Sequence, residues 1–159
     1  GLHNRRYMTG QLEALTERAA HGGKPVSLLV LDIDHFKKIN DSFGHDVGDE
    51  VLKEFAVRLA SNVRGMDLPV RYGGEEFVIV MPDTQLIDAR RIAERIRLHV
   101  AGSPFRVMGG RELLSVTISI GVAVTLPGEE SPQALLKRAD EALYEAKATG
   151  RNRVIAAAA

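Results

Sequence analysis

Cysteine is absent from the 159 residues, which excludes disulfides and thiolate metal sites and leaves oxygen or imidazole to hold any metal. An excess of either charge is also lacking: 21 Lys plus Arg balance 21 Asp plus Glu. No global field therefore draws in nucleic acid or an acidic membrane surface, and neither is expected as a partner. The longest apolar runs, Val26 to Leu31 and Phe77 to Met81, fall far below the roughly 18 residues of a membrane span, so no direct membrane segment is expected. The first residues show no signal-peptide pattern. Repeats and low-complexity linkers are missing too. The length suits one globular domain over 1–159, expected in the cytoplasm. The abrupt Gly1 and the closing Ala156 to Ala159 suggest a domain excised from a longer signalling protein, with its regulatory segments elsewhere.

What is present is a sequence of periodic segments. Tyr7, Met8, Leu12 and Leu15 have helical spacing between Asn4 and Ala20, and His21-Gly22-Gly23 stops that helix. Val26 to Ile33 is nearly all apolar, as in a central strand covered on both faces, and ends in Asp32-Ile33-Asp34. A short helical turn is expected over Phe36 to Ile39, then a long helix through Val47, Val51, Leu52, Phe55, Leu59 and Val63. Strands Leu68 to Tyr72 and Glu76 to Met81 flank Gly73-Gly74, which suits the positive backbone angles of a tight hairpin. A helix from about Thr84 to Val100, a hairpin turning at Gly109-Gly110, a strand over Leu113 to Val124, a helix over Pro132 to Ala148 with Gly150 at its end, and a last short strand complete the pattern. Strands alternating with helices, plus hairpins, predict an α/β (α+β) domain with one mixed, mainly antiparallel sheet flanked by helices.

The chemistry concentrates in Arg71-Tyr72-Gly73-Gly74-Glu75-Glu76-Phe77, where a glycine turn carries two carboxylates to a hairpin tip. Alone, such a stretch reads more readily as a tight turn with solvated glutamates. Asp32 adds a third carboxylate if its strand neighbours the hairpin, and together they make a hard-oxygen site suited to magnesium. Such a site neutralises charge developing on phosphates while leaving positions for substrate. Asp34 shares a strand face with Asp32 by the two-residue period and suits equally a ligand or a structural role, as a salt bridge or a cap.

Further ordered stretches include Gly1-Leu2-His3-Asn4-Arg5-Arg6, Asp32-Ile33-Asp34-His35-Phe36-Lys37-Lys38-Ile39-Asn40-Asp41, Gly44-His45, Gly48-Asp49, Ser119-Ile120-Gly121, and Ala139-Asp140 through Arg151-Asn152. With the hairpin they make the chain resemble the GGDEF family of diguanylate cyclases, in its Gly-Gly-Glu-Glu-Phe form, over nearly its whole length. The resemblance implies the palm-like sheet of nucleotidyl cyclases and condensation of two GTP into cyclic di-GMP with release of pyrophosphate. It implies Mg2+, or Mn2+, held by Asp32, Glu75, Glu76 and the Ile33 carbonyl, with Asp32, Glu75 and Glu76 catalytic. Substrate contacts are implied for Phe36, Lys37, Gly73 and Gly74, with Asn40 and Asp49 on the guanine and Lys147 and Arg151 on the phosphates. Outside the family, Asn40 is an ordinary helix-terminal residue and Asp49 a first-turn aspartate favoured by the helix dipole. Because each domain holds one GTP, the resemblance also implies a homodimer. Arg64 and Asp67, an R-x-x-D pair ahead of the hairpin, with Arg95 on the next helix, match the family's inhibitory product site. A non-catalytic sensor of cyclic di-GMP or GTP, and a cyclase of another nucleotide, are the rival readings; intact Asp32, Glu75 and Glu76 favour the enzyme.

Overall fold

A computed structural model describes residues 2–128 and 131–158; Gly1 and Ala159, named above, lie outside the described residues. A five-stranded sheet of order β2-β3-β1-β6-β7 is built from Leu68–Arg71 (β2), Glu76–Met81 (β3), Ser27–Ile33 (β1), Ile118–Val124 (β6) and Val154–Ala156 (β7). All its pairings are antiparallel except β6 with β7. Helices α1 (Arg5–Ala20) and α5 (Pro132–Ala148) cover one face, and α2 (Phe36–Phe43), α3 (His45–Ala60) and α4 (Leu86–Gly102) lie on the other.

Strand periodicity sorts the core. Leu29, Leu31, Phe77 and Ile79 join the α3/α4 side, whereas Leu28, Val30, Val78 and Val80 join the α1/α5 side. All seven residues of β1 are buried, which accounts for its unbroken apolar run. Gly121 of β6 permits the closest layer contact: a Cβ there would lie 2.1 Å from the Ala139 carbonyl oxygen and 2.4 Å from the Leu143 nitrogen. That approach seats α5, and with it Lys147, over the end of β1.

Several boundaries differ from the sequence reading. The turn expected over Phe36 to Ile39 is a full helix to Phe43, and Gly44 (φ 92°) separates it from α3, which ends at Ala60 before Val63. The stretch Leu113 to Val124 divides. Glu112–Leu114 (β5) pairs with Phe105–Val107 (β4) in a separate two-stranded sheet across left-handed Gly109 and Gly110, and β6 starts at Ile118. Between them the backbone bends to meet Asp34, whose N–H donates to the Thr117 carbonyl at 2.9 Å.

Candidate active site

Strand register delivers the first carboxylates. Asp32 on β1 lies directly opposite Glu76 on β3, and both continue the sheet parity that faces α1 and α5. Asp32 is only 6% exposed. Its Oδ2 accepts from the Lys147 ammonium of α5, while Oδ1 is buried without any partner. Burial pushes the Asp32 carboxyl above its usual range despite Lys147. Burial also raises Glu75, with the Asp32 charge adding to the effect, and raises Glu76, which feels both Asp140 and Asp32. Lys147 offsets this acidity only in part, since burial still raises all three carboxyls.

The hairpin tip is built differently from expectation. Neither Gly73 nor Gly74 has a positive φ. The Tyr72 and Gly73 N–H groups both donate to the Glu76 carbonyl, at 2.9 and 3.1 Å, closing the turn without left-handed residues. Arg71 braces it from outside by donating to the Gly74 carbonyl at 2.7 Å and the Gly73 carbonyl at 3.3 Å. The glycines matter here by leaving the backbone bare beside Glu75, which is exposed at the tip.

Across the sheet edge, α2 and α3 form a corner. His35 precedes α2 in the left-handed region (φ 57°) and gives no side-chain cap, so the first-turn N–H groups of Phe36 and Lys37 remain available to an anion. Asn40 has a buried Oδ1 without a partner, beneath Gly48 of α3. A Cβ on Gly48 would lie 1.8 Å from that oxygen and 3.3 Å from Phe36 Cζ. Asp49 is exposed next to it, in the second turn of α3 rather than the first, so the helix dipole accounts for it less well than the sequence suggested.

Asp34 stands apart from Asp32. Its oxygens accept from Ser119 Oγ (2.7 Å), Thr117 Oγ1 (2.7 Å) and the Asn152 N–H (2.9 Å). Arg151, beyond α5, is exposed, and Lys147 is bonded to Asp32 rather than free. Thr117 carried no signal in the sequence, and Gly48 entered there only as the neighbour of Asp49.

Arg64 and Asp67 form a closed pair. Asp67 has no exposed side-chain surface and takes Arg64 Nη2 at 2.8 Å and Nε at 3.0 Å. Arg64 also donates to Thr84 Oγ1 at 2.6 Å. Arg95 of α4 donates to the Asn62 carbonyl, two residues before Arg64, which brings both arginines to one surface.

Among the described residues no three His, Cys, Asp or Glu are already drawn together as a metal cage. The donor set nevertheless fits a magnesium ion, which is commonly held by one or two carboxylates and completed by substrate phosphates. The orphaned Asp32 Oδ1 is the observation that supports the fit.

Residues 1–153 match the family model for the diguanylate cyclase GGDEF domain. The chain is 70% identical over 159 residues to the response regulator PleD of Caulobacter vibrioides, covering 100% of this chain and 35% of that protein. Among solved structures, the GGDEF domain of DgcB from Caulobacter crescentus, in complex with c-di-GMP, superposes with a TM-score of 0.93 at 37% identity, covering 99% of this chain and 90% of that one. The active GGEEF domain of a diguanylate cyclase from Vibrio cholerae gives 0.90 at 38%, covering 100% and 99%.

Proposed function

This chain belongs to the GGDEF family of diguanylate cyclases, and from that premise we propose that it condenses two GTP into cyclic di-GMP with release of pyrophosphate. The observation that carries the reading is the acidic group itself: Asp32 opposite Glu76, with Glu75 on the adjoining bare tip and all three raised in proton affinity.

Magnesium, or manganese, held by the carboxylates of Asp32, Glu75 and Glu76 and the Ile33 carbonyl, supplies neutralisation of the charge that builds on the phosphates. The first-turn amides of α2 at Phe36 and Lys37 receive phosphate oxygens, and Lys147 and Arg151 add positive charge. The bare backbone at Gly73 and Gly74 lets the triphosphate come close. Asn40 and Asp49 select guanine, since a carboxylate accepts from its N1–H and N2–H groups while an amide both donates and accepts. The 3′-hydroxyl of one GTP attacks the α-phosphorus of the other, the bond to the β-phosphate breaks and pyrophosphate leaves; a second, reciprocal attack closes the ring. Each domain carries one GTP, so the active form is a homodimer. A cytoplasmic location suits a domain that uses GTP; among the described residues no helix is long and apolar enough to cross a membrane.

The DgcB domain, solved in complex with c-di-GMP, supports a product site here as well. Arg64 reads guanine, Asp67 completes the site and fixes the guanidinium, and Arg95 supplies a second contact, giving feedback inhibition. Calorimetry on Arg64→Ala tests this: cyclic di-GMP affinity falls if the site is right and is unchanged if it is wrong. For the catalytic reading, Glu75→Ala is expected to keep the fold and lose turnover; a normally active variant contradicts the metal site.

A further inference from the structure

We infer that Asp34 and Arg97 clamp the turn after α5, so that Asp34 is a positioning residue for Arg151 and not a further metal ligand. The turn needs a clamp. Gly150, Arg151 and Asn152 have φ of 131°, 63° and 46°, and two successive non-glycine residues in the left-handed region persist only where their surroundings impose it.

Asp34 grips the turn from below. It is 5% exposed, and its Oδ2 accepts the Asn152 N–H at 2.9 Å and the Thr117 hydroxyl at 2.7 Å, while Oδ1 accepts the Ser119 hydroxyl at 2.7 Å. Arg97 of α4 grips it from outside by donating to Asn152 Oδ1 at 2.8 Å, and is itself fixed by Glu94 through Nε at 3.0 Å. The Arg151 N–H closes the helix end on the Ala146 carbonyl at 2.9 Å. The Arg151 and Asn152 amides and the Asn152 side chain are thus held, while the Arg151 side chain projects exposed. The contrast with Asp32 is direct: one of its oxygens is buried with no partner, whereas both oxygens of Asp34 are engaged with donors. Two carboxylates two residues apart therefore do different work. Holding the turn in advance removes the ordering that Arg151 would otherwise undergo on meeting phosphate.

The inference rests on the reading of Arg151 as a phosphate contact, and the experiment separates the two. In the ligand-free protein, hydrogen exchange at the Asn152 amide should quicken at least about tenfold in both Asp34→Asn and Arg97→Gln, and stay within about twofold in Asp32→Asn. In turnover with GTP, Asp34→Asn should raise KM roughly tenfold, leave the magnesium concentration for half-activation within about twofold, and add less than about twofold to the effect of Arg151→Ala. Unchanged exchange in Asp34→Asn overturns the clamp, and a tenfold shift in magnesium half-activation makes Asp34 a ligand. Faster exchange combined with an unaltered KM in Arg151→Ala upholds the clamp and overturns the phosphate role. Arg97→Gln, on the outer side of the turn, carries the test if Asp34→Asn does not fold.

Discussion

Asp32 and Glu76 are cross-strand partners, two carboxylates held side by side at the end of a largely apolar pair of strands. Like charges in directly opposed positions destabilise a sheet by about 0.2–1 kcal/mol. Glu76→Gln removes one of them, so the metal-free protein should gain stability of that order, an increase in Tm of up to about 4 °C for a domain of this size. Its cyclase activity should disappear. Thermal denaturation in EDTA checks the first outcome and a GTP turnover assay the second; a drop in Tm contradicts the account of the pair.

Magnesium and pH should compete at this site. Asp32, Glu75 and Glu76 all have raised folded-state pKa values, so the metal-free folded protein holds more protons than the unfolded chain from the ordinary carboxylate range up to those raised values. The contribution of these groups is therefore greatest below that window and is lost as pH rises through it. Magnesium supplies the missing charge, and its stabilising increment should be larger at about pH 8 than at about pH 5. Calorimetric scans with and without the metal measure this; equal increments at both pH values argue against carboxylate ligation, and Asp32→Asn should shrink the increment.

Gly48→Ala should separate binding from folding. The added Cβ falls 1.8 Å from Asn40 Oδ1, the end of a movable side chain, while alanine in a helix interior is favoured over glycine by about 0.5–1 kcal/mol. Tm should change little. Displacement of Asn40 should weaken GTP binding by roughly tenfold or more, with less discrimination against ATP, as read by competition binding. Unchanged discrimination removes Asn40 from the guanine site.

Arg58 is the main polar support of the α4 end. At 8% exposure it donates to the carbonyls of Val100 (3.2 Å), Ser103 (2.7 Å) and Pro104 (3.0 Å), and to Glu54 at 2.7 Å. It also stacks 3.9 Å from the Phe105 ring centroid. Arg58→Ala should cost about 2–4 kcal/mol in denaturant unfolding, and Arg58→Lys should recover little of it because an ammonium lacks the planar fork. A loss below about 1 kcal/mol would show these bonds to be replaceable by water.

Much of this was legible in the sequence because local patterns decide it. The unbroken apolar run of β1 signalled burial on both faces, and the acidic residue at its end marked where the chain emerges beside the hairpin. The class of fold followed, and so did the placing of Asp32 beside the Gly-Gly-Glu-Glu hairpin, where it lies opposite Glu76. Features set by distant contacts did not. The partners of Asp34 lie 83, 85 and 118 residues away, beyond any local signal, so its role stayed open until the fold brought Thr117, Ser119 and Asn152 together. Gly73 and Gly74 suggested positive backbone angles, yet the paired bonds to the Glu76 carbonyl close the turn without them. The break within Leu113 to Val124 was hidden because its residues are apolar on both sides of the bend.

The most direct test of the central claim is chromatography of the products after incubating concentrated protein with GTP and magnesium, alongside the same domain forced to dimerise by a fused coiled coil. Cyclic di-GMP and pyrophosphate are expected, with the higher rate in the forced dimer. GTP recovered intact from both samples, with GTP binding retained, would contradict the enzyme and leave a nucleotide-sensing domain.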